Sequence, residues 1–106
     1  MSNHEHNILA QIKQAVKQTD PTATAILFGS RATGKAREDS DWDILVLLDK
    51  PKIGLNDELP LRDILYDIEL ETGEAISTFF FSKDDWNNRL LYSPLYASVK
   101  EDGIVL

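Results

Sequence analysis

Apolar positions recur along this chain with two different periods. From Asn7 to Lys17, Ile8, Leu9, Ile12, Ala15 and Val16 fall on one stripe, which predicts an amphipathic helix. Asp20-Pro21 ends it, because the residue before a proline is pushed out of the α region. Thr24 to Phe28 is a short apolar run that predicts a strand, broken at Gly29. Ser30 to Gly34 predicts a turn or one helical turn, and Lys35 to Ser40 a charged loop. Trp42 to Leu48 shows no polar alternation after Asp43, which predicts a central strand, closed by Asp49-Lys50-Pro51.

A loop over Lys52 to Asn56 precedes the strongest helical pattern, Asp57 to Thr72. Leu61, Ile64, Leu65 and Ile68 form its inward stripe, Pro60 is expected in the first turn, where proline is tolerated, and Gly73 is a natural stop. Ala75 to Phe81 predicts a third strand. Ser82 followed by Asp85 resembles a capping box and predicts a short helix carrying Trp86 and Leu90. Ser93-Pro94 starts another through Lys100, which Asp102-Gly103 stops before a short extended tail, Ile104 to Leu106. Helix and strand patterns alternate throughout, so the expected class is α/β (α+β).

Length sets the domain count. The 106 residues fit one domain over positions 1–106, with enough apolar content for a core. Cysteine is absent, which removes disulfides, thiolate zinc sites and cysteine nucleophiles together. The longest apolar run, Ile44 to Leu48, is far too short to span a bilayer. The polar Met1 to His6 is no signal peptide, so the expected location is the cytoplasm. The formal charge is −7, with 11 Lys and Arg among 18 Asp and Glu. That field opposes long nucleic acid but weakly affects a small nucleotide that arrives with a divalent cation.

The candidate chemistry lies in Gly29-Ser30-Arg31-Ala32-Thr33-Gly34 and in Asp41-Trp42-Asp43. A strand that stops at glycine and turns into a helical start leaves N–H groups aimed outward, where they bind anions. Ser30 adds a hydroxyl. Asp41 and Asp43, two apart on a strand, face one way, and their repulsion is relieved by a shared cation. Oxygen-only ligands favour Mg2+ or Mn2+. Either pair alone is common; their joint spacing carries the reading. Trp42, between the two aspartates, is expected to pack as core on the opposite face. Phe79, Phe80 and Phe81 are also read as core, whereas Trp86, Tyr92 and Tyr96 cover the sheet or meet a partner. His4 and His6 are expected in a mobile terminus without a metal role.

Gly29-Ser30, ten intervening residues, then Asp41-Trp42-Asp43 resembles the signature of the polymerase-β-like nucleotidyltransferase superfamily. The fuller string, Gly29 to Gly34 and Ser40 to Val46, is similar to the minimal nucleotidyltransferase (MNT) family. The resemblance implies a small mixed twisted sheet with helices mainly on one face. It implies that Gly29 and Ser30 hold a nucleoside triphosphate, that Arg31 and Lys35 are candidate phosphate contacts, and that Asp41 and Asp43 bind the divalent metal and are catalytic. Arg31 is equally read as a salt bridge to the acidic loop, and Lys35 and Arg37 as solvated charges. It also implies transfer of a nucleoside monophosphate to an acceptor hydroxyl, and a HEPN-type protein partner that the chain serves as antitoxin. One position departs from the family pattern. Active members carry a third acidic residue on the strand after the long helix, where this chain has Ser77. Glu74 substitutes only in a different register. The alternative is therefore a weak or inactive member that works by binding nucleotide or a protein partner.

Overall fold

The uninterrupted apolar run of the second strand takes the centre of a four-stranded sheet in a computed structural model that describes residues 1–88 and 93–106. The elements are α1 (Asn3–Thr19), β1 (Thr24–Phe28), α2 (Ser30–Thr33), β2 (Trp42–Leu48), α3 (Leu55–Thr72), β3 (Ile76–Ser82), α4 (Lys83–Asn88), α5 (Pro94–Asp102) and β4 (Ile104–Val105). The strand order is β3-β2-β1-β4. β1 pairs antiparallel with β2 and with β4, and β2 pairs parallel with β3. A parallel neighbour needs a crossover connection, and α3 supplies it.

The two long helices lie on one face. Ile8, Ile12 and Val16 of α1 and Leu61, Leu65 and Ile68 of α3 bury Leu27, Trp42, Ile44, Val46, Leu48 and Phe80. The alternate residues Ile26, Phe28, Leu45 and Leu47 face the other way, under Trp86 of α4 and Val99 of α5. Trp86 and Tyr96 therefore serve as cover for the sheet, with ring centroids 5.1 Å apart. Leu90 and Tyr92 lie outside the described residues. Among the described residues, no helix is long and apolar enough to cross a membrane.

The boundaries of several elements move from their expected places. The first helix begins at Asn3 because Ser2 caps it. The Ser2 hydroxyl accepts from the Glu5 N–H at 3.1 Å, and the Glu5 carboxylate accepts from the Ser2 N–H at 3.1 Å. His4 and His6 are thus helical and not part of a mobile tail. The long helix starts at Leu55, which puts Pro60 in its second turn. There Pro60 leaves the Asn56 carbonyl without an intrahelical donor, a loss eased by exposure of both residues. The third strand runs one residue further along than expected. The predicted cap at Ser82 forms, its hydroxyl accepting from the Asp85 N–H at 3.0 Å.

Candidate functional site

Phe28, the last residue of β1, pairs with Asp43 of β2. The chain must turn away immediately beyond that pair, and Gly29 makes the turn with φ 74 and ψ −157. A side chain there is excluded twice. The left-handed φ strains any L residue, and a Cβ would overlap Asp43 Oδ2 and lie 3.1 Å from Asp43 Cγ. The Asp43 carboxylate therefore rests directly against the backbone of the turn.

α2 begins at Ser30. Its first intrahelical bonds run from the N–H groups of Ala32 and Thr33 to the Gly29 carbonyl, at 3.1 and 3.3 Å. The N–H groups of Ser30 and Arg31 precede them, at the positions where a helix start leaves donors without an intrahelical acceptor. Gly34 closes the turn in the left-handed region.

Strand alternation sorts the second half of the motif. Trp42 is fully buried against α1 and α3, so Asp43 turns to the opposite face with Phe28 and Leu45. Asp43 is the register partner of Ser77 on β3, and the Ser77 hydroxyl donates to Asp41 Oδ2 at 3.0 Å. Gly29, Asp41, Asp43 and Ser77 thus converge at one end of the sheet. Burial holds the Asp43 carboxyl above its ordinary pKa, and the nearby charge of Asp41 raises it further. Among the described residues, no group of three or more His, Cys, Asp or Glu side chains is placed to hold a metal ion. Two coupled carboxylates and a hydroxyl are hard oxygen donors that suit one Mg2+ or Mn2+. A second cation would lack charged ligands.

Arg31, read either as a phosphate contact or as a salt bridge to the acidic loop, lies on the opposite side of the sheet from Asp43. Its guanidinium is buried on the Trp42 side of the sheet, 4.4 Å from that ring. It donates to the carbonyls of Ser40 at 2.8 Å and Glu38 at 3.1 Å. Glu74 and Glu5 balance its charge at 3.6 and 3.7 Å. Arg31 therefore ties down the loop between the glycine turn and Asp41. Lys35 is exposed.

Glu74 is engaged on this same side and is no stand-in for a third carboxylate. It accepts from Trp42 Nε1 at 3.2 Å and contacts His4 Nε2 at 2.9 Å. The His4 contact first, and then Trp42 and Arg31, hold its carboxyl below the ordinary value. Phe79 departs from the core expectation: it shares the face of Asp43 and Ser77, stacks on Phe28 at 5.6 Å, and is 39% exposed.

A family model described as "Polymerase beta, Nucleotidyltransferase" matches residues 10–93. Comparison with curated protein sequences gives no match. Among solved structures, the chain is similar to a crystal structure of a toxin-antitoxin with AMP-PNP. The TM-score is 0.65 at 16% identity, over 91% of this chain and 69% of that one. At that identity the likeness speaks for the fold.

Proposed function

The chain belongs to the polymerase β nucleotidyltransferase family, and we propose that it moves a nucleoside monophosphate from a nucleoside triphosphate to an acceptor hydroxyl. The observation that carries this reading is the contact between the Gly29 turn and the Asp43 carboxylate. It supports reading the turn as a phosphate cradle and the adjoining carboxylates as a cation site.

The N–H groups at the start of α2 and the Ser30 hydroxyl hold the triphosphate. Asp41 and Asp43 would hold Mg2+ or Mn2+, and such a cation would supply positive charge to offset that of the phosphates. The acceptor oxygen forms a bond to the α-phosphorus as the bond to pyrophosphate breaks, and pyrophosphate leaves. The acceptor proton goes to solvent, since Ser77 is a poor base at neutral pH. In this reading Arg31 acts by positioning the loop that delivers Asp41, which its hydrogen bonds to the Glu38 and Ser40 carbonyls support.

The protein partner of this reading is a HEPN-type toxin, with the chain as its antitoxin in the cytoplasm. The MNT resemblance supports it, as does the structural likeness to a toxin-antitoxin that holds AMP-PNP. A second reading is favoured by one observation. Ser77 hydrogen-bonds Asp41 where a third carboxylate is expected, which suits a protein that binds nucleotide or partner without turnover. Incubation with α-labelled nucleoside triphosphates, magnesium and the partner separates the two. Transfer of label supports the enzyme. Magnesium-dependent nucleotide binding without transfer supports the binding protein.

A further inference from the structure

α3 carries two apolar stripes, and among the described residues only one of them packs into the core. Leu61, Leu65 and Ile68 face the core. Leu55, Leu59, Tyr66 and Leu70 recur at helical spacing on the outer side and are 66%, 42%, 57% and 66% exposed. A surface helix ordinarily turns polar residues outward. Scattered exposed apolar residues are unremarkable, but an aligned row marks an interaction site. The row extends over fifteen residue steps, about 22 Å at 1.5 Å per residue. Beside it, between α3 and β3, lies a groove of about 350 Å³ lined by Leu59, Tyr66, Ile76 and Thr78 among others.

The charges around the row select its occupant. The helix holds six acidic residues and one basic one. At 100° per residue, Glu58 and Glu69 flank the row on one side and Asp63 and Asp67 on the other. Arg62, the single basic residue, is paired with Glu58 at 2.8 Å. A second copy of this chain docking here would press two acidic rims together. A partner helix with an apolar stripe rimmed by Lys and Arg meets both features.

We infer that the outer face of α3 is a docking surface for an amphipathic helix with basic flanks on a protein partner. This rests on the part of the proposed function that gives the chain a protein partner, and is independent of cation, nucleotide and turnover. Leu55, Tyr66 and Leu70 fill no cavity, so their replacement leaves the fold intact.

The test uses a synthetic 18-residue helical peptide with a leucine stripe flanked by Lys and Arg, and a twin flanked by Glu. Both are titrated into the labelled full chain and followed by amide chemical shifts. The basic peptide is expected to shift amides of α3 and β3, with affinity that falls as salt rises, and the acidic twin to shift none. A triple variant, Leu55→Gln, Tyr66→Gln and Leu70→Gln, is expected to keep its melting temperature and bind the basic peptide at least tenfold more weakly. Equal binding by the variant, shifts mapped to other elements, or no binding by either peptide would overturn the assignment. So would sedimentation showing that the wild type dimerises and the variant does not. Nucleotide calorimetry on the same samples reports separately on the catalytic reading.

Discussion

The Ser77 hydroxyl donates to Asp41 Oδ2 at 3.0 Å, from the β3 position that pairs with Asp43. A carboxylate at position 77 would sit beside two others. Ser77→Asp is therefore expected to raise metal-dependent nucleotide transfer with partner and magnesium held constant. Without metal the same variant gathers three negative charges and should melt lower than wild type, with magnesium restoring the difference. Paired transfer and thermal-melt assays check both halves. Unchanged transfer, or a melting temperature indifferent to magnesium, would contradict it.

Gly29 is required by conformation and by contact. Gly29→Ala is expected to cost roughly 1–3 kcal/mol from its positive φ alone, with the overlap on Asp43 in addition. Nucleotide affinity should fall more than stability does, since the Cβ displaces the carboxylate that holds the cation. Denaturant melts and nucleotide titration on one sample measure the two losses.

Asp43 bears a cost in the metal-free protein. Its folded carboxyl titrates above its unfolded value, so its ionisation opposes folding. That penalty is absent below the unfolded pKa, grows as pH rises from there through the folded pKa, and is complete above it. Asp43→Asn should therefore melt higher than wild type at neutral pH without metal. The advantage should shrink as pH falls through the acid range. A variant less stable than wild type at neutral pH would show that the carboxylate makes a favourable contact of its own.

Arg31 is a structural clamp, and its loss should appear in stability first. Arg31→Met leaves Glu5 and Glu74 without their cation and frees two loop carbonyls. The expected cost is roughly 2–4 kcal/mol. Arg31→Lys should recover little of it, because an ammonium cannot span the Glu38 and Ser40 carbonyls and stack on Trp42 together. Denaturant melts of the three proteins decide it.

Residues whose neighbours are set by local pattern were readable from the sequence. The apolar run of β2 placed it centrally, and the two-residue spacing of Asp41 and Asp43 around a core tryptophan placed their face. The start of α1 was missed because its first turn carries no inward apolar residue, although Ser2 and Glu5 stand at capping-box spacing. The choice between the two readings of Arg31 was not legible because its acceptors are backbone carbonyls brought near by the path of a loop. The outer stripe of α3 went unseen because the inward stripe already satisfied the helical period. Phe79 emerged exposed because β3 is an edge strand of the sheet.

Calorimetric titration of nucleoside triphosphate into the chain, with and without magnesium, addresses the cation site that the function depends on. The wild type is expected to bind nucleotide in a magnesium-dependent manner. Asp41→Asn and Asp43→Asn should each bind at least tenfold more weakly, a loss of about 1.4 kcal/mol or more. Wild-type affinity in both variants, with folded structure retained, would contradict the site and the reaction built on it.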